Sequence, residues 1–168
     1  GTTWSATTSQ ATTTVVEGFW GAFMFNQLAT NTLYYFRAGG GDAVSSSTAP
    51  FASTTAYTWA DTPGTPTISS IDIQGFTVKI NSSTNPAATT YIIRDVASST
   101  RTLYLQNGGT WGGATATFTY DQLGPVSGTT TVLVATNTLH RISVAAANGD
   151  NSATTSYGTA AADFYTLA

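Results

Sequence analysis

Leu28-Ala29-Thr30-Asn31-Thr32-Leu33-Tyr34-Tyr35-Phe36-Arg37 is written a second time, with changes, as Val134-Ala135-Thr136-Asn137-Thr138-Leu139-His140-Arg141-Ile142-Ser143. The invariant part, Ala-Thr-Asn-Thr-Leu, recurs 106 residues on (29 to 135). The echo extends to both sides. Gly1-Thr2-Thr3-Trp4 parallels Gly108-Gly109-Thr110-Trp111, Gly41-Asp42 parallels Gly149-Asp150, and Tyr57-Thr58-Trp59-Ala60 parallels Tyr165-Thr166-Leu167-Ala168. Self-similarity at a near-constant period is how an array of modules shows itself in sequence. It predicts a boundary between residues 60 and 61. Residues 61–168 then form one whole copy. Residues 1–60 form a partial or reduced one, because nothing in them corresponds to residues 67–105.

Composition sets the class. Threonine supplies about a fifth of the chain, and Thr, Val, Ile and the aromatics favour strands. Glu17 and Lys79 are the sole glutamate and lysine, so the residues that coat exposed helices are nearly missing. Charged residues make up 8% of the chain, against about 25% in an average domain, which implies a hydroxyl-rich surface. With a net charge of −3 and five dispersed basic residues, phosphate neutralisation is excluded as a mode of binding. There is no cysteine, hence no disulfide, thiolate metal site or cysteine nucleophile. No apolar run approaches the roughly 18 residues that span a bilayer as a helix. The first residues carry no basic signal-peptide segment, which fits either a processed chain or an excerpt of a longer one.

Short strands with turns every 8–12 residues are expected across the second copy. Phe76, Val78 and Ile80 alternate onto one face. Further strands are read at 67–71, 90–96, 101–105, 116–120, 129–134, 139–144 and 163–167. Asn107-Gly108-Gly109 is a tight-turn signal, since glycine tolerates positive φ, and Asn148-Gly149 turns the chain between the last two strands. Asp61-Thr62-Pro63-Gly64-Thr65-Pro66 is read as a linker, since two nearby prolines disfavour a regular strand. In the first copy, strands are expected at 12–16, 33–37 and 56–59, with an aromatic run at Phe19-Trp20-Gly21-Ala22-Phe23-Met24-Phe25.

The segments at 28–37 and 134–146 resemble the corner and following strand of fibronectin type III domains, Leu-x-Pro-x-Thr-x-Tyr and then alternation. Thr62-Pro63-Gly64-Thr65-Pro66 resembles the linker that opens such a domain, and Asn148-Gly149-Asp150 stands where its last loop falls. The resemblance implies an all-β chain of immunoglobulin-like (fibronectin type III-like) sandwiches in tandem, the first partial. The Thr-rich, charge-poor style is similar to repeats of large bacterial surface proteins. The chain departs from the pattern in three ways. Ala29-Thr30 and Ala135-Thr136 lack the usual proline, His140 replaces the tyrosine that Tyr34 represents, and no tryptophan falls between residues 67 and 96.

Candidate chemistry is sparse. His140 is expected to cap its corner as Tyr34 does, because no nucleophile or orienting carboxylate neighbours it in sequence. The carboxylates occur singly and give no calcium-loop spacing, and Asp42 and Asp150 fit turn chemistry. No catalytic residue, cofactor or metal ligand is therefore expected. Trp4 and Trp111 occupy equivalent positions, which favours core burial over sugar stacking. Phe19, Trp20, Phe23 and Phe25 populate both faces of a strand, so one face needs a second cover; they are the candidate assembly contact. Asn81-Ser82-Ser83 is a candidate N-glycosylation sequon.

A module without its opening strands exposes sheet edges. It is completed either by the rest of a longer chain or by a strand from a neighbour laid against residues 10–37. The leading expectation is a non-enzymatic structural module of an extracellular filament, surface layer or adhesin, meeting copies of itself or adjacent repeats through β-edges and aromatics. The alternative is a carbohydrate- or receptor-binding module of a secreted multidomain protein.

Overall fold

The computed structural model describes residues 25–38, 52–98, 101–123, 128–151 and 154–168. Among these residues twelve strands are formed, numbered in chain order. β1 (Leu33–Ala38) and β2 (Ala52–Tyr57) pair as an antiparallel hairpin in the first part of the chain. β3 (Gly64–Ser69), β4 (Gly75–Asn81) and β9 (Thr129–Leu133) make a three-stranded antiparallel sheet in the order β3-β4-β9. β5 (Thr90–Ser98), β6 (Arg101–Leu105), β7 (Trp111–Gly112) and β11 (Ile142–Ala147) form the opposing sheet in the order β11-β5-β6-β7, with β8 (Phe118–Thr119) on β5. β10 (Leu139–His140) and β12 (Phe164–Tyr165) pair separately.

The alternation read in β4 holds, since Phe76, Val78 and Ile80 are buried while Lys79 is exposed. They meet Val132 of β9 and, from the other sheet, Tyr91 and Ile93 of β5, Leu105 of β6 and Ile142, Val144 and Ala146 of β11 in one core. Every member of that core lies between residues 76 and 146. Inner faces of two antiparallel sheets enclosing one core, with crossovers between them, make an immunoglobulin-like sandwich. The fold is all-β, as expected, and the described residues add a 3-10 turn at Tyr120–Leu123. That turn ends the strand expected through residue 120.

Two further expectations are corrected. Pro66 lies inside β3, not in a linker before it. The ladder to β4 shifts register between Gly64 and Thr67, and that bulge accommodates a residue with no N–H. The strand read through 139–144 is two strands. The chain leaves β12 at His140, breaks at Arg141 and joins β5 from Ile142 onward. Arg141 donates its N–H to Asp95 Oδ1 (2.9 Å), and its carbonyl accepts from Val96 N–H (3.0 Å), so the break has its own partners.

The outer edge of β11 is closed by the chain's last stretch. Thr155, Gly158 and Ala161 donate N–H groups to Ala146, Val144 and Ile142. Three residues advance on one side for two on the other, so this edge is irregular yet hydrogen-bonded. Of residues 10–37, only 25–37 are described. There β1 has β2 as its one strand partner among the described residues.

Candidate functional site: the corner seat and the histidine cleft

The repeated sequence builds a repeated corner. Asn31 (φ 43°) and Asn137 (φ 50°) both adopt the left-handed conformation, which asparagine tolerates better than most residues. Thr58 Oγ1 accepts Thr32 N–H (2.9 Å) and donates to Ala29 O (2.6 Å). Thr166 Oγ1 does the same to Thr138 N–H (3.0 Å) and Ala135 O (2.7 Å). Asn31 N–H donates to Trp59 O and Asn137 N–H to Leu167 O, while Thr58 and Thr166 N–H donate to Thr32 and Thr138 O. Leu33 faces Tyr57 and Leu139 faces Tyr165 across the strands that follow. One hydroxyl thus ties each corner by two bonds. Thr166→Val is expected to destabilise the fold by about 1–3 kcal/mol, since it strands a donor and an acceptor. Thr166→Ser, which keeps both bonds, loses less than half of that in thermal or denaturant unfolding.

The two corners differ at the next residue. Tyr34 Oη accepts the Ala29 N–H (2.9 Å), the tyrosine-corner bond. His140 does not cap its corner in that way, contrary to expectation. The shorter imidazole turns inward and its Nδ1 lies 2.6 Å from Asp95 Oδ2, with both side chains buried. Phe76 and Phe164 flank the ring at centroid distances of 5.0 and 5.5 Å.

His140 and Asp95 border a cleft of about 540 Å³ whose walls include Leu103, Trp111, Leu133 and Leu139. His140 Nε2 is buried without a hydrogen-bond partner among the described residues. A His–Asp pair works as a base when a nucleophilic hydroxyl sits on the other ring nitrogen; that nitrogen meets no hydroxyl among the described residues. The pair joins the β10–β11 break to β5, through His140 and Arg141 on one side and both Asp95 oxygens on the other.

The first corner is seated on the sandwich. Asn31 is buried, and its Nδ2 donates to Thr89 Oγ1 (2.6 Å) and Ala147 O (3.4 Å). Thr30 Oγ1 donates to Thr84 O (3.2 Å). The Tyr57 ring lies against Gly149, where a Cβ would run into it. Below the corner the connecting chain is pinned. Asp61 N–H donates to Asn85 Oδ1 and Asn85 Nδ2 to Asp61 O, both at 2.7 Å. Ser83 and Thr84 hydroxyls donate to the Asp61 carboxylate (2.6 and 3.0 Å) and hold its pKa below the ordinary value. On the surface, Arg141 grips Asp163 with two bonds of 2.5 and 2.6 Å.

Of the expected assembly contacts, Phe19, Trp20 and Phe23 lie outside the described residues. Phe25 is 43% exposed and packs on Phe36 (5.3 Å between centroids). Asn81, the candidate N-glycosylation site, is exposed at the end of β4. Its Oδ1 accepts Ser83 N–H (3.1 Å), and its Nδ2 lies close over Gly64. Trp111 is half-buried against the core. The seat, Thr84 to Thr89 with Ala147 to Gly149, went unnoticed in the sequence, and only the turn at Asn148-Gly149 left a trace there.

Among the described residues no three His, Asp or Glu side chains gather as metal ligands, and no helix is long and apolar enough to cross a membrane. Neither a family model nor a curated protein matches the sequence. Among solved structures the chain is similar to one described as "Myokine structure", at 9% identity and a TM-score of 0.45, covering 64% of this chain and 98% of that one. It is also similar to domains d3-d4 of the rat CD45 extracellular region, at 16% identity and a TM-score of 0.45, covering 97% of this chain and 79% of that one.

Proposed function

We propose that the chain is a structural part of an extracellular assembly, a filament, surface layer or adhesin, built from end-to-end sandwiches. The observation that supports this reading is the seated corner. A repeated element contacts the next sandwich through Asn31, Thr30 and Tyr57, and the connection beneath it is pinned at Asp61. Short pinned connections of this kind transmit force and fix spacing, whereas a binding module on a flexible linker needs neither. A hydroxyl-rich, charge-poor surface suits the outside of a cell. The partners are copies of the chain or adjacent repeats, and the mechanism needs neither cofactor nor catalysis. Electron microscopy and sedimentation of the native protein test this. The expected result is ordered polymers with a constant axial repeat. A monomer at every concentration that instead binds glycans through exposed aromatics would replace this reading with the carbohydrate-binding one.

A further inference from the structure

We infer that the second corner, Ala135 to Thr138 with Tyr165 beside it, is a docking face for the loops of another sandwich of the same kind. The inference rests on the array reading above and gives it a specific contact. The two corners share the same backbone and threonine bonds, so they present their outward groups alike. At the first corner those groups are covered. Asn31 is 8% exposed, Thr30 is bonded to Thr84 O, and Tyr57 lies on Gly149. At the second corner the same positions are open. Asn137 and Thr136 are exposed, and Tyr165 is 59% exposed. The surface that meets a sandwich once is therefore displayed again without one.

The chemistry of the occupant follows from the first seat. It offers a hydroxyl beside a strand-end carbonyl for the asparagine amide, a backbone carbonyl for the threonine hydroxyl, and a turn without a side chain for the tyrosine ring. Residues 84–89 and 147–149 supply that set here, but residues 30, 31 and 57 already fill it. The occupant is thus a further copy of the 61–168 sandwich whose seat is still free. Such a contact is head-to-tail, the kind that propagates as an open array unless its rotation closes a ring.

The test is the full chain with residues 61–168 repeated directly after Ala168. The repeated unit carries every buried member of the core cluster. Exchange of the Asn137 side-chain amide should slow about tenfold on adding the unit, as one or two new hydrogen bonds imply. Small-angle scattering should show a fixed angle between the last two sandwiches. Asn137→Gly, which keeps the positive φ, combined with Tyr165→Ala should restore fast exchange and loosen that angle, with the unfolding midpoint nearly unchanged. Asn137 exchange that is the same with and without the added unit overturns the inference. So do native polymers that form unchanged in the Asn137→Gly, Tyr165→Ala chain, although the array reading would stand. A native chain that never polymerises, while the added unit still protects Asn137, removes the array reading and leaves the docking face.

Discussion

Asp95→Ala should lower the unfolding free energy by about 3–5 kcal/mol, because it breaks a buried pair and leaves the partner behind. Asp95 is 5% exposed, and its carboxylate serves two donors, His140 Nδ1 and the Arg141 N–H. Both stay buried or half-buried when it is removed, each at a cost of about 1–3 kcal/mol. The damage should concentrate where the chain passes from β10 to β11, since these are the bonds of that break. Chemical denaturation measures the total, and amide exchange at residues 140–142 measures where it falls. A cycle with His140→Phe separates the pair from its parts. Asp95→Leu with His140→Phe keeps apolar volume and orphans only the Arg141 N–H, so the double variant should be more stable, by at least about 1 kcal/mol, than the summed effects of Asp95→Leu and His140→Phe alone. Simple additivity of the single substitutions would mean that the two side chains do not act as a pair.

That pair shows where sequence reading stops. The inward face of β4 was legible because period-two alternation is local, and the corners were legible because the chain repeats them. The positive φ of Asn31 and Asn137, which few other residues accept, came only with the structure. The His140–Asp95 bond joins residues 45 apart, and no periodic pattern reports such a distance. The break at Arg141 was hidden for the same reason. Leu139 to Val144 reads as one alternating run, and only the transfer from β12 to β5 divides it. Pro66 misled in the opposite direction. Proline forbids a regular ladder, but a bulge is not regular, and β3 runs on through it. The first corner was visible as a repeat, whereas its seat is assembled from two loops some 60 residues apart in sequence, each unremarkable alone.

Gly149→Ala should unseat the first corner while leaving the sandwich intact. The glycine is an exposed turn residue, so a methyl group there disturbs no core packing and unfolding should shift by no more than about 0.5 kcal/mol. Its Cβ would fall on the Tyr57 ring, however, and the ring must move away. Tyr57 is the last residue of β2 and directly precedes the tying residue Thr58, so its displacement pulls on the bonds of Asn31 and Thr30 to the loops. Each of those bonds contributes about 0.5–1.5 kcal/mol net, so losing two of them turns a mostly docked junction into a mostly open one. Contacts of this size do not hold two bodies rigid without geometric fit, and independent motion is the default for small interfaces. The pinning of Asp61 by Asn85 survives the substitution, so the two parts should stay adjacent yet reorient freely. Residual dipolar couplings measured separately for residues 25–57 and 64–165 would report this as a loss of common alignment. Asn31→Gly, which preserves the backbone conformation and deletes the amide, should give the same loss by an independent route. If both variants keep a single alignment, the connecting chain at Asp61 holds the junction by itself, and the corner's part in assembly falls with it.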